Sequence, residues 1–230
     1  MAARHRILVM RHPETVANTR RFLSGREDVE LTERGERERL EAIEAVCAWG
    51  PDRVWSSPLS RCTTIAEAAA ERLHVPFEVH ENLVELEFGS VQNVPYDEVA
   101  ELGYPFPWHL DERGRSIAAP GAEDFEHLRA RAKALLAELL PLEGRTACVT
   151  HGGLTRGLLG AVFDTPLETF WNVSISNVSS QVLTCDGTTF RLAALGLAPR
   201  EVVARAKDPS LMGNDTTQTI SGVIEHEDRN

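Results

Sequence analysis

The chain has 230 residues, enough for one large domain or two small ones with a substantial buried core. Its net charge of −11 argues against a general binder of nucleic acid or of anionic membrane surfaces. The apolar run at residues 7–10 is too short for a signal-peptide core, and no stretch approaches the roughly 18 apolar residues of a membrane span. We therefore expect a soluble, cytoplasmic protein.

Strand-like and helix-like segments alternate along the chain, which indicates an α/β fold in which helices cover a sheet. We expect strands at 6–10, 52–56, 76–80 and 145–150. We expect helices from Thr32 to Gly50, at 60–73, at 125–139 and from about 154 to 162. Two β-prone runs within 176–195 surround Asp186-Gly187 and predict a hairpin closed by a type I′ turn.

Proline and glycine interrupt this pattern between residues 88 and 121, and aromatic residues occur among them. This segment is typical of a lid-like insertion that selects the substrate. From residue 209 the sequence is polar and poorly patterned. We expect one domain over residues 1–208 and a polar, mobile tail over 209–230.

Arg11 and His12 follow the apolar run 7–10 directly, and Pro13 forces the chain out of regular strand pairing. His12 is thus expected at a strand-to-loop exit, where α/β proteins expose reactive groups. Residues 146–150, followed by His151 and two glycines, have the same layout. The repeated layout favours a functional site over a solvated strand end.

Other catalytic signatures lack their context. Cys47 with Arg53, and Cys185 with Arg191, match the C-x5-R spacing of cysteine phosphatases, but neither pair follows a strand and precedes a helix. Asp186 lacks the second acid of an aspartyl-phosphate motif, and residues 152–157 lack the glycine spacing and lysine of a nucleotide loop. The four cysteines are widely spaced and are expected to be reduced, buried side chains: Cys47, Cys62, Cys148 and Cys185.

Six segments, in order, resemble the motifs of the histidine phosphatase superfamily, which includes cofactor-dependent phosphoglycerate mutases and many broad-range phosphatases. The resemblance extends from residue 7 to about residue 180. Its segments are LVMRHPET at 8–15 with Asn18, LTERG at 31–35, SSPLSRC at 56–62, LVELEFG at 83–89, PGAED at 120–124 and VTHGG at 149–153. Three departures stand out: Pro13 replaces the usual glycine, Ile65 a common threonine, and Ser90-Val91-Gln92 an aromatic-Glu-Gly continuation.

The resemblance implies a single three-layer α/β/α domain with a mostly parallel sheet flanked by helices. It also implies that His12 is a nucleophile that forms a covalent phosphohistidine. Arg11 and Arg61 offer planar, permanently charged forks to the phosphoryl oxygens. These cations are expected to lower the pKa of His12 and keep it neutral.

The remaining site residues follow from the same resemblance. His151 would donate a hydrogen bond to the transferred group, assisted by the amide of Gly152 at a helix N-terminus. Asn18 would bind another phosphate oxygen. Glu85 would protonate the leaving group and later deprotonate water, with Glu87 as the alternative acid.

Residues 88–120 bear on the reaction, because a mutase must hold a second anion there. Their basic side chains are Arg113 and Arg115, set among several acids, whereas aromatic residues suggest a partly apolar leaving group: Tyr96, Tyr104, Phe106 and Trp108. We therefore favour a phosphomonoesterase acting on a small phosphorylated metabolite over mutase-type transfer. A non-catalytic phosphate-sensing or scaffold role is a further alternative.

The expected partner is a small-molecule phosphomonoester, with no nucleic acid, no membrane, no metal and no organic cofactor. Two arginines and two histidines supply the positive field that Mg²⁺ supplies in other phosphoryl-transfer enzymes. The oligomeric state stays open, with a homodimer as one option.

Overall fold

A six-stranded sheet forms the centre of the computed structural model, which describes residues 3–207. The strands are β1 (His5–Arg11), β2 (Arg53–Ser56), β3 (Phe77–Val79), β4 (His109–Leu110), β5 (Ser116–Ile117), β6 (Gly144–Thr150), β7 (Ser180–Cys185) and β8 (Phe190–Leu197). The large sheet has the order β3-β2-β6-β1-β7-β8, and β4 pairs with β5 separately. In this order β3, β2, β6 and β1 run parallel to one another, whereas β7 is antiparallel to both its neighbours, β1 and β8. The predicted α/β fold with a mostly parallel sheet is confirmed.

Seven α-helices occur within the described residues: α1 (Val16–Arg20), α2 (Glu33–Trp49), α3 (Ser60–Leu73), α4 (Tyr96–Val99), α5 (Phe125–Leu139), α6 (Gly152–Phe163) and α7 (Pro199–Lys207). α2 starts where the sequence predicts, because the Thr32 hydroxyl accepts the N–H of Gly35. α6 begins two residues earlier than expected, so that His151 is its N-cap residue. The short helices α1 and α4, as well as α7, were not predicted.

The sheet separates two apolar cores, since side chains alternate between its faces. Ile7 and Val9 of β1 point to the core that contains α5 and α6. Leu8 and Met10 point to the core formed with α2, α3 and α7. This layering matches the expected three-layer arrangement.

Residues 88–121 pack against the α5–α6 core. Trp108 is 3% exposed and donates its indole N–H to the Glu123 carbonyl, and Phe106 contacts the rings of Trp108 and Trp171. A movable lid in this segment stays a prediction. The predicted tail at 209–230 lies outside the described residues.

The predicted type I′ turn between β7 and β8 is wrong. The β7–β8 connection has four residues, 186–189, because the Asp186 carboxylate accepts the N–H groups of Thr188 and Thr189 and so builds a wider loop than a type I′ turn. His5 and His80 are buried. No helix within residues 3–207 is long and apolar enough to cross a membrane.

Candidate active site

Three adjacent parallel strands, β2, β6 and β1, bring the predicted site residues to one edge of the sheet. Arg11 pairs with Thr150 in the β1–β6 register, and the N–H of His12 donates to the Thr150 carbonyl. The two chain segments that follow these strands therefore lie side by side. The rings of His12 and His151 are 5.2 Å apart between centroids.

His12 is buried and its tautomer is fixed. Its Nδ1 lies 2.7 Å from the carbonyl oxygen of Pro13, which can only accept a hydrogen bond, so Nδ1 carries the proton and Nε2 keeps its lone pair. Burial first, and then the positive charges of Arg61 and Arg11, hold the pKa of His12 well below 6.5. The sequence predicted the effect of these cations but not the larger effect of burial.

Two arginines flank His12: Arg61, which is buried, and Arg11, which is half-buried. Arg61, 2% exposed, donates through Nη1 and Nη2 to the carbonyls of Glu27 and Gly25. Arg11 donates through Nη1 to the carbonyl of Ile175. In both guanidinium groups Nε is buried and has no hydrogen-bond partner among the described residues. Burial lowers the pKa of both groups from 12.5, but arginine keeps its charge in proteins.

His151 has a third buried nitrogen without a hydrogen-bond partner among the described residues. Its Nε2 lies 2.6 Å from the Ser57 hydroxyl, whereas Nδ1 has no partner among the described residues. The Ser57 oxygen accepts the N–H of Leu59, so its own proton is available for Nε2. When the Ser57 hydroxyl donates to Nε2, the ring proton of neutral His151 lies on Nδ1, the nitrogen without a partner among the described residues. Burial, and then Arg61, holds the pKa of His151 well below 6.5.

Glu85 and Glu87 point to different surroundings. Glu85 lines the same pocket as His12, and its carboxylate accepts the N–H of Gly153 at 3.1 Å. A Cβ on Gly153 would lie 2.3 Å from this carboxylate, so the glycine permits the close approach. Glu87 instead accepts the N–H of Gly89 and forms an ion pair with Arg26.

The loop that precedes β7 forms hydrogen bonds with the segment that follows β1. Asn177 donates its amide N–H to the His12 carbonyl and to the Asn18 side-chain oxygen, both at 3.1 Å. The neighbouring Val178 has φ 49°, a conformation that a β-branched residue rarely adopts, and its N–H donates to the His12 carbonyl. Strained residues of this kind cluster at functional sites.

These groups open into one pocket, which is lined by all the predicted site residues except His151, whose buried ring lies 5.2 Å from that of His12. It is lined by Arg11, His12, Asn18, Phe22, Leu23, Ser24, Gly25, Arg61, Glu85, Phe88, Tyr96, Gly152, Gly153, Arg156 and Trp171. Of the four aromatic residues expected to contact the leaving group, Tyr96 lines the pocket, whereas Tyr104, Phe106 and Trp108 pack into the core. His109 is exposed on β4, away from the pocket.

The pocket brings the basic side chains of Arg11, Arg61 and Arg156 together with His12. Within residues 3–207, no group of three or more His, Cys, Asp or Glu side chains is arranged to hold a metal ion. The family description "histidine phosphatase superfamily (branch 1)" matches residues 7–198. The chain belongs to the histidine phosphatase superfamily.

Relatives of this chain include both mutases and phosphatases by name. The chain is 27% identical over 162 residues to the probable phosphoglycerate mutase GpmB of Salmonella paratyphi C, a match that covers 70% of this chain and 75% of that protein. Among solved structures, Mycobacterial hydrolase 1 superimposes with a TM-score of 0.74 at 26% identity, over 85% of this chain and 99% of that one. A mycobacterial glucosyl-3-phosphoglycerate phosphatase in complex with VO3 has the same TM-score and identity, over 85% and 100%.

Several residues in or beside the pocket were not identified from the sequence as site residues, among them Ser57, Arg156, Trp171 and Asn177. Ser57 lies inside the matched motif at 56–62, four residues before Arg61, and membership of that motif was the available signal. Arg156 lies four residues after Gly152, which on a helix puts both on one face. Trp171 and Asn177 occur in an irregular segment without a local signal.

Proposed function

We propose that this chain is a phosphomonoesterase that hydrolyses a small phosphorylated metabolite through a phosphohistidine at His12. The observation that carries the proposal is the set of three buried nitrogens without partners: Arg11 Nε, Arg61 Nε and His151 Nδ1. Burying an unpaired donor costs about 1–3 kcal/mol, more for a charged group, and three such costs beside one nucleophile are explained if an oxyanion accepts from them.

The chemistry divides into two steps. In the first, the Nε2 lone pair of His12 attacks phosphorus, the bond from phosphorus to the ester oxygen breaks, and protonated Glu85 gives its proton to that oxygen. In the second, water attacks phosphorus and gives a proton to the Glu85 carboxylate, while the bond from phosphorus to Nε2 breaks and phosphate leaves. Arg11, Arg61 and His151 stabilise the charge on the equatorial oxygens in both steps.

Hydrolysis is favoured over mutase-type transfer because Arg113 and Arg115, the basic residues of the 88–120 segment, do not line the pocket. Arg115 forms an ion pair with Asp111 in the β4–β5 hairpin, and Arg113 is exposed. The second phosphate of a bisphosphorylated primer would therefore have few cations to bind it other than those assigned to the transferred phosphoryl group. The relatives carry both activities in their names, so the assay must measure both.

The test is an assay of phosphate release from an aryl phosphate and from a series of alkyl phosphates, with 3-phosphoglycerate and a bisphosphoglycerate primer as the mutase arm. We expect phosphate release that EDTA does not reduce, because protein cations bind the oxyanion. Vanadate should inhibit competitively, since it mimics the five-coordinate transition state. Primer-dependent isomerisation faster than phosphate release would favour the mutase, and vanadate binding without turnover of any ester would favour the phosphate-sensing role.

A further inference from the structure

Arg131 of α5 is an arginine that does not line the pocket and that the proposed chemistry does not use. Its side chain is 12% exposed. Through Nη1 it donates to the carbonyls of Asn82 and Val84, at 3.0 and 2.6 Å, and through Nη2 to the carbonyl of Glu85 at 3.5 Å. One guanidinium group thus binds three carbonyls of the short segment that carries the proposed acid.

Glu123 fixes the direction of the Arg131 guanidinium. Its carboxylate accepts the Nε–H group at 2.8 Å and an Nη2–H group at 2.6 Å, a bidentate pair that defines both distance and orientation. The Glu123 backbone is held as well, because its N–H donates to the Glu87 carbonyl and its own carbonyl accepts the indole N–H of Trp108. The bonds of Arg131 to this carboxylate and to the three carbonyls match in number the five N–H groups of a guanidinium.

The chain around the proposed acid has no regular structure of its own. Residues 84–87 form no helix or strand, so no ladder of backbone hydrogen bonds fixes Glu85. Both oxygens of the Glu85 carboxylate accept backbone N–H groups, Oε1 that of Leu86 at 2.8 Å and Oε2 that of Gly153 at 3.1 Å. The carboxylate can keep both bonds only while the Glu85 backbone stays at its present distance from Gly153.

Two packed helices hold Glu85 from two directions, since α5 packs against α6. Arg131 connects α5 to the carbonyls around Glu85, and Gly153, in the first turn of α6, binds the Glu85 carboxylate. Arg26 also donates to the Glu85 carbonyl, at 3.2 Å, but its side chain is 39% exposed. Arg131 is thus the buried link between this helix pair and the acid.

We infer that Arg131 is a positioning residue for Glu85, which it places through three backbone carbonyls at the distance needed to protonate the leaving group. This inference rests on the proposed phosphatase function and adds a residue outside the pocket to it. A buried ion pair adds little net stability, so the Arg131–Glu123 pair matters here for the geometry that it imposes. Loss of Arg131 should impair proton transfer and leave the phosphoryl-binding arginines in place.

The test is the ratio of kcat/KM for 4-nitrophenyl phosphate to kcat/KM for ethyl phosphate. This constant reports the step in which the leaving group departs, and nitrophenolate departs with little proton assistance, whereas ethoxide needs the acid. Arg131→Met should raise the ratio by about 10–100-fold, because a misplacement of about 1 Å can cost about 10²-fold in rate. Equal losses on the two esters would indicate a general structural role and overturn the inference.

A double variant shows whether Arg131 acts through Glu85. Glu85→Gln alone should raise the same ratio, since it removes the acid. Adding Arg131→Met to Glu85→Gln should change the ratio further by less than about threefold, because no acid is left to be placed. A further rise of about tenfold or more would mean that Arg131 acts by another route, and would refute the positioning role.

Arg129→Met is the matched control, because Arg129 lies on the same helix, stacks on Phe170 and donates to a different loop carbonyl, that of Thr165. It should leave the ratio unchanged. Arg131→Lys keeps the charge beside Glu123 but lacks the planar fork, so the ratio should rise by about 3–10-fold. If Arg131→Met does not fold, Arg131→Lys decides the question, and an unchanged ratio in it counts against the inference.

A measurement without turnover separates this inference from the proposed function. The ¹⁵N–¹H resonance of Gly153 reports the Glu85 carboxylate that accepts its proton. Arg131→Lys should shift this resonance in the same direction as Glu85→Ala does, whereas Arg129→Met should not. If the wild type hydrolyses no ester but the resonance shifts, the phosphatase proposal fails and the positioning role stands. If the wild type is active and the resonance stays in place in Arg131→Lys, the positioning role fails alone.

Discussion

The Nδ1 atom of His12 donates its proton to the carbonyl oxygen of Pro13, the next residue in the chain, over 2.7 Å. The His12 ring is therefore oriented by a backbone carbonyl, a group that every residue type supplies. Pro13 stands where relatives of this family usually carry glycine, and it lacks an N–H. The backbone carbonyl at position 13 orients the His12 ring, and proline has this carbonyl just as glycine does.

Pro13→Gly should therefore change kcat by less than about threefold. It should lower the free energy of unfolding by about 0.4–1 kcal/mol, because glycine increases the conformational entropy of the unfolded chain. Steady-state kinetics and urea unfolding measure the two effects. A rise in kcat of more than about tenfold would mean that the missing amide donor limits catalysis.

Ser57 is predicted to set the tautomer of His151. Ser57→Ala removes the hydroxyl that bonds Nε2, so kcat should fall by about 10–100-fold with little change in KM, and Ser57→Thr should restore most of it. The ¹⁵N shifts of the His151 ring report the tautomer directly. The exposed Ser90→Ala serves as the control, and an unchanged tautomer in Ser57→Ala would rule out this role.

Glu85 is predicted to protonate the leaving group. Glu85→Gln should slow hydrolysis of alkyl phosphates far more than that of activated aryl phosphates, since good leaving groups need little proton assistance; the expected difference is about 10²–10⁴-fold. Glu87→Gln is the matched control, because Glu87 pairs with Arg26 outside the pocket. Equal losses for both ester types in Glu85→Gln, or the leaving-group effect in Glu87→Gln, would assign the acid elsewhere.

Buried histidines should make stability depend on pH. Burial holds the pKa of His12 and His151 well below 6.5 and also lowers that of His5, so these rings stay neutral in the folded state. The unfolded chain takes up protons as the pH falls below about 6.5, and the free energy of unfolding should therefore decrease from about pH 7 to about pH 5.

Denaturant unfolding at several pH values measures this decrease. His12→Asn and His151→Asn should each reduce it, whereas His74→Asn, at an exposed position with φ 53°, should not. The explanation fails if the pH dependence is the same in all three variants.

Much of this structure was predictable because its signals are local. The strand before His12 and the helix cap at Thr32 depend on neighbours within a few residues, and both occur where predicted. The clustering of Arg11, His12, Arg61 and Glu85 followed from family motifs, which carry long-range information that periodicity lacks.

The parts that were missed depend on contacts between distant segments. The carbonyls of Val173 and Ile175 orient Arg156 and Arg11 across more than a dozen residues of chain, and no local pattern marks them. The aromatic residues Phe106 and Trp108 were assigned to the leaving group because composition cannot distinguish a pocket wall from a core that lies directly behind it. The direction in which the Phe106 and Trp108 side chains point places them in the core and not in the pocket wall.

The central claim is that His12 carries the phosphoryl group, and rapid-quench labelling with a ³²P-phosphomonoester tests it most directly. The wild type should acquire one label that is stable to alkali and lost in acid, as expected for a phosphohistidine, and His12→Ala should show neither label nor turnover. Label that persists in His12→Ala, or wild-type turnover without an acid-labile intermediate, would contradict the mechanism.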